Sequence, residues 1–148
     1  KNQSVPVAQE IFATALDAYL LTGDREERAH DCETADGGPQ TRDGARRRLG
    51  RMLCTELTLE EAIVAARAIR QAQVDGISQA WARATAAMTA PPSCVVISGQ
   101  GEYLLRRMLD DCGWTRRVVS LHEQLGREAS RCGPAFALAV LAQERLGT

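Results

Sequence analysis

Apolar residues recur at near-helical spacing across residues 6–21, PVAQEIFATALDAYLL, at Val7, Ile11, Ala15, Leu16, Ala18 and Tyr19. Pro6 suits a first helical turn and Gly23 a helix stop, so a first helix is predicted over this stretch. Residues 23–40 are polar and rich in Gly and Asp, and read as loop. A second helix is predicted from about Thr41 to Cys54. It would place Ala45, Leu49, Met52 and Leu53 on one face, and Arg46, Arg47, Arg48 and Arg51 mostly on the other, solvated one. TLEE at 58–61 is a capping box, with Thr58 the cap and Glu61 its reciprocal partner. Helical spacing then continues to about Met88, with Gly76 a point of bending and Pro91 and Pro92 a stop. The small residues Ala65, Ala66, Ala68 and Ala72 offer a neighbour a close approach.

Beyond the prolines the pattern changes. CVVISGQG is a short β-branched run closed by glycines, and EYLLRRMLDDCG after it is amphipathic. RRVVSL at 116–121 is a second short strand, and a last helix is expected from Pro134 to Gly147. Strands near 94–98 and 116–121 alternating with helices make an α/β pattern with a parallel sheet. The chain thus divides into a helical segment, 1–92, and a β-α-β-α segment, 93–148. Two parallel strands alone leave apolar faces uncovered, because parallel sheets are normally buried on both sides. Partner strands are therefore expected from an upstream segment or another chain. The start at Lys1, in place of Met, likewise reads as the middle of something longer.

Composition narrows the classes. The chain has 148 residues, 45% of them hydrophobic and 25% charged, which suits a soluble domain with a real core. A net charge of −1 gives no electrostatic case for nucleic acid. The five cysteines, Cys32, Cys54, Cys94, Cys112 and Cys132, are scattered without zinc spacing, and Cys94 reads as a small buried hydrophobe. With no signal peptide and no apolar run of about 18 residues, a reduced cytoplasmic protein without a membrane span is expected.

Three places carry candidate chemistry. Ser98-Gly99-Gln100-Gly101 joins a strand to a helix, and such a turn offers backbone N–H groups and a helix N-terminus to a phosphate; a tight turn is the plainer reading. In TADGGP, Thr34, Asp36, Gly37 and Gly38 form a loop whose carboxylate either ligates Mg²⁺ or closes a turn on its own backbone. Thr14 and Asp17 lie one turn apart on a face with little apolar character, either solvated or turned to a cleft. The arginines at 46–48 and 51 suit a phosphate or carboxylate, or a solvated face. His30 and His122 fit a charged loop and a helix cap, and no catalytic residue is assigned.

FATALDAYLLTG, TADGGPQTRDGARRRLGRML, VVISGQGEYLLRRML and VVSLHEQLG…SRCGPAFALAVLA, in this order, resemble the tetrahydromethanopterin-linked C1-transfer pathway proteins. These are hydantoinase-A-like and related to the archaeal enzyme that builds the aminomethylfuran ether in methanofuran biosynthesis. The resemblance implies the C-terminal part of an actin-like ATPase fold, the sugar-kinase, heat-shock-70 and actin class, without its N-terminal lobe. ADGGP at 35–39 is not that lobe's phosphate loop, because no strand precedes it. The resemblance implies that Ser98, Gly99, Gln100 and Gly101 line a nucleotide or diphosphate site, and that Asp36, Gly37 and Gly38 face the cleft. It further implies a transferase, inactive without its other lobe, that joins a phenol to an aminomethylfuran diphosphate and releases diphosphate, with Mg²⁺ as cofactor. An ATP-dependent small-molecule kinase or hydantoinase-like hydrolase, and a non-catalytic partner or regulatory fragment, stay open beside it. So do ATP as a ligand, a second chain and a homo-oligomer.

Overall fold

The computed structural model describes residues 6, 7 and 9–147. Ala8, inside the predicted first helix, and Lys1 lie outside them. The chain divides into two compact units, Lys1–Gln73 and Val74–Thr148. The division falls within a long helix, upstream of the prolines where the sequence suggested a boundary.

In the first unit, α1 spans Ala15–Thr22, α2 Arg42–Met52, and α3 begins at Leu59 on its way to Ala86. The first helix starts nine residues later than Pro6. Val7 and Ile11 are exposed, and without burial of an apolar face the periodicity there does not produce a helix among the described residues. The Asp17 carboxylate instead accepts the Thr14 N–H at 2.9 Å, fixing the start of α1 at Thr14. Gly23 closes it in the left-handed region, φ 81°, as expected. Leu20, Leu21 and Ala18 of α1 meet Ala45 and Leu49 of α2 and Ala62 and Ala66 of α3 in a single core. Each fully buried leucine in it contributes about 1.5–3 kcal/mol. Ala68 and Ala72 are exposed, so only the first half of the alanine row is packed.

The capping box is present: Thr58 N–H donates to Glu61 at 2.8 Å, and Glu61 N–H to Thr58 Oγ1 at 3.3 Å. The loop at 23–40 is closed by an antiparallel bridge between Arg28 and Gln40, and Thr41 caps α2 by accepting from Gly44 N–H at 3.1 Å. After α2 the chain folds straight back on it. A Cβ on Gly50 would lie 2.7 Å from the Thr55 carbonyl oxygen, closer than real contacts allow. Gly50→Ala is therefore expected to cost about 1–3 kcal/mol despite alanine's better helix propensity. Urea unfolding checks this, and an unchanged midpoint would contradict it.

In the second unit, β1 is Cys94–Ile97, α4 Glu102–Asp111, β2 Arg117–Ser120, α5 Leu121–Leu125, α6 Arg127–Arg131 and α7 Gly133–Leu146. The strands pair in parallel, Cys94 with Arg117 through Ile97 with Ser120. The predicted strand–helix–strand–helix order is observed, with the two short helices α5 and α6 added before α7. Ile97, Leu104, Met108, Leu109 and Val74 are buried. Cys94 is only half-buried, and all five cysteines are free. Among the described residues the sheet has two strands. Val96 is 61% exposed, and Leu138, Leu141 and Leu146 of α7 are exposed as well. No helix among the described residues is long and apolar enough to cross a membrane.

Candidate functional site

The first unit brings together residues that are distant in sequence. Arg48 is 1% exposed and lies between two carboxylates. Its Nε donates to Asp17 Oδ1 at 2.8 Å and its Nη2 sits 2.7 Å from the same oxygen. Its Nη1 donates to Asp36 Oδ1 at 3.1 Å and to the Pro39 carbonyl at 3.3 Å. Arg48 thus departs from the solvated face expected of it. It follows Ala45 by three residues and precedes Leu49 and Met52, within the apolar stripe of α2. That position was the sequence signal. Asp17 also differs from the solvated or cleft-facing role: at 1% exposure it is buried as the counter-ion of Arg48.

Asp36 is the rim of this cluster. Its Oδ1 accepts Gly38 N–H at 3.0 Å, the turn hydrogen bond that the sequence offers as one reading. Its Oδ2 pairs with Arg51, which is half-exposed. Thr34 Oγ1 donates to the Gly38 carbonyl at 2.7 Å and lies 3.2 Å from Asp36 Oδ1. A Cβ on Gly38 would lie 3.0 Å from Asp36 Oδ1, so the second glycine leaves room for the carboxylate to fold back. Burial alone would raise the Asp36 pKa, but the Gly38 N–H and the Arg51 and Arg48 guanidinium groups outweigh it. The result is a fall from 3.8 to about 2. A depressed folded-state pKa stabilises the fold above the ordinary carboxylate value, and this is lost as pH falls from about 4 to about 2. Asp36→Asn is expected to flatten stability against pH in that window. An unchanged acid limb in pH-dependent unfolding would show that Asp36 is not the titrating group.

Both Asp36 oxygens face guanidinium groups, so the carboxylate is already paired with cations of the chain itself. Its chemistry is that of anchoring arginines.

In the second unit the glycine turn is held from below. Gly99, at φ +95°, donates its N–H to Ser130 Oγ at 2.8 Å, so that N–H is committed within the protein. Ser130 Oγ donates to Glu102 Oε1 at 2.7 Å, His122 N–H donates to the same oxygen at 3.1 Å, and Ser120 Oγ pairs with Glu102 Oε2. Glu102, in the first turn of α4, places its own carboxylate near the helix N-terminus that the sequence offered to a phosphate. Burial would raise the Glu102 pKa, but hydrogen bonds from Ser120, Ser130 and His122 outweigh it and lower it. Ser98 packs against Gly133, where an added Cβ would meet Ser98 Oγ at 2.8 Å. Gln100 is exposed, and Gly101 is the N-cap residue of α4. Glu102 was the residue missed. Its signal was a carboxylate directly after Ser-Gly-Gln-Gly, in the first turn of an amphipathic helix.

Taken together, the structure is a helix-rich α/β chain with a buried carboxylate–guanidinium cluster in one unit and a buried carboxylate behind a strand–glycine–helix turn in the other. No family model matches it. It is 29% identical over 143 residues to the (4-{4-[2-(gamma-L-glutamylamino)ethyl]phenoxymethyl}furan-2-yl)methanamine synthase of Methanocaldococcus jannaschii, a match that covers 95% of this chain and 42% of that enzyme. It is 24% identical over 151 residues to the synthase of the same name from Methanococcus vannielii, covering 99% of this chain and 67% of that one. The chain therefore spans less than half of the first relative's length. Both relatives are enzymes, and the similarity relates this chain to them along nearly its whole length.

Proposed function

We propose that the chain is part of a transferase of methanofuran-type cofactor biosynthesis, which joins a phenol to an aminomethylfuran diphosphate and releases diphosphate. Similarity to two like-named synthases over 95% and 99% of the chain carries this reading. Their name describes a phenoxymethyl-furan ether. Building that bond by displacement forms an oxygen–carbon bond at the furan methylene and breaks the bond from that carbon to diphosphate. The phenol proton passes to a base. Donors that stabilise the departing oxyanion then set the rate. In this reading the chain belongs to the second lobe of an actin-like fold, and the Thr34–Gly38 loop and the Ser98–Gly101 turn each serve ligand binding within their own unit. Arg48 holds the first of these loops, and Glu102 the second. The open face of β1 and the apolar side chains of α7 are covered by the rest of the synthase, in the same polypeptide or in a second chain.

The test is to incubate the full-length protein with a tyramine-type phenol and the furan diphosphate, with and without ATP. Ether and diphosphate appearing in equal amounts without ATP supports the reading. ADP formation instead would place the protein among ATP-dependent kinases or hydrolases. No turnover of either kind by folded full-length protein would leave a non-catalytic partner.

A further inference from the structure

At the C-terminal end of α2 lies an open cleft of about 690 Å³, lined by Arg46, Arg47, Gly50, Arg51, Cys54 and Glu56 among others. Its volume is that of a small-molecule site. Three features of the backbone and charge make it a built cleft. Gly50 lets the 54–57 segment return against α2, with Thr55 N–H donating to the Gly50 carbonyl at 2.9 Å. Cys54 turns the chain there at φ +51°, a left-handed conformation that only a few non-glycine residues adopt. Arg46 ties the far wall by donating to the Leu57 carbonyl at 2.7 Å.

The lining holds three arginines and one glutamate, and Asp43 and Asp36 beside it bring the local charge into balance. Arg47 and Arg51 are one helical turn apart, and their side chains are 58% and 49% exposed. Their present partners are side chains of the same chain: Asp43 faces Arg47 at 2.9 Å as well as Arg46, and Asp36 faces Arg51. The Arg47–Asp43 pair is exposed on both sides and weak, so a ligand anion replaces it at little cost, whereas Arg51 keeps its tie to Asp36 and offers its remaining guanidinium N–H groups. Guanidinium forks on successive turns match the spread oxygens of a phosphoryl group, and displacing the Asp43 carboxylate from Arg47 calls for at least a dianion.

We propose that this cleft binds the phosphate or diphosphate group of a small organic molecule, gripped by Arg47 and Arg51. The assignment rests on the two guanidinium groups one turn apart and the shape of the cleft, and not on the ether-forming reaction. Binding is measured without turnover, so either can fail without the other.

The test is isothermal titration of the whole chain with inorganic diphosphate at low salt, with succinate as a dianionic carboxylate control. Wild type is expected to bind diphosphate saturably. Arg47→Gln, at an exposed position that leaves the fold intact, is expected to weaken binding about tenfold or more. Asp43→Asn, which frees Arg47 from its partner, is expected to tighten it. Opposite effects from two neighbouring surface changes are not produced by a general loss of stability. No saturable binding, equal binding by Arg47→Gln and wild type, or succinate binding as tightly as diphosphate would each overturn the proposal.

Discussion

Arg48→Ala is expected to remove about 3–5 kcal/mol from the stability of the first unit, because it strands the buried Asp17 carboxylate without a counter-ion. Removing both sides of the pair is a different matter. The double variant Arg48→Met with Asp17→Leu replaces the ion pair by apolar groups of similar size, and should recover much of the loss. Arg48→Lys is expected to fall between them, since one ammonium cannot hold both Asp17 and Asp36 in the guanidinium's planar geometry. Chemical denaturation followed by circular dichroism separates the three. If Arg48→Ala melts within about 1 kcal/mol of wild type, the cluster is not what joins α1, α2 and the Asp36 loop.

The second large effect is at Glu102. Glu102→Leu keeps the volume but removes the acceptor for Ser120 Oγ, Ser130 Oγ and His122 N–H together. A buried donor left without a partner costs about 1–3 kcal/mol, so a loss of at least 3 kcal/mol in the second unit is expected. Glu102→Gln retains one acceptor oxygen and should lose less. Because the folded-state pKa of Glu102 is lowered, its contribution is present above the ordinary carboxylate value and is lost as pH falls below it. The wild-type advantage over Glu102→Gln should therefore shrink in acid. Hydrogen exchange at Gly99, whose N–H is held by Ser130, gives the local readout. Protection at Gly99 that survives Glu102→Leu would show that the turn is held by something other than this network.

Both residues explain how much of the molecule was legible in advance. The α2 stripe, the Thr58 box, the Gly23 stop and the parallel pairing of 94–97 with 117–120 are set by neighbours a few residues away or by short β-branched runs. They could be read directly. The observed first helix is shorter than its periodicity predicts, because the pattern at Val7 and Ile11 yields helix only where a partner surface buries it. The arginines of α2 suit a solvated face or an anion by sequence, although Arg48 stands on the apolar stripe, where the structure buries it. At the Ser98–Gly101 turn the sequence leaves a tight turn and a phosphate seat both open, because Ser130, which takes the Gly99 N–H, lies 31 residues away.

Local order in the sequence therefore determined the helices, their caps and the strand–glycine–helix turn, since each depends on contacts within a turn or two. Tertiary structure alone decided that Asp17, Arg48 and Asp36 form one cluster and that Glu102 occupies the helix end behind the glycines. A buried charge is stable only beside its partner, and those partners are brought together by folding across 12 to 31 residues of chain.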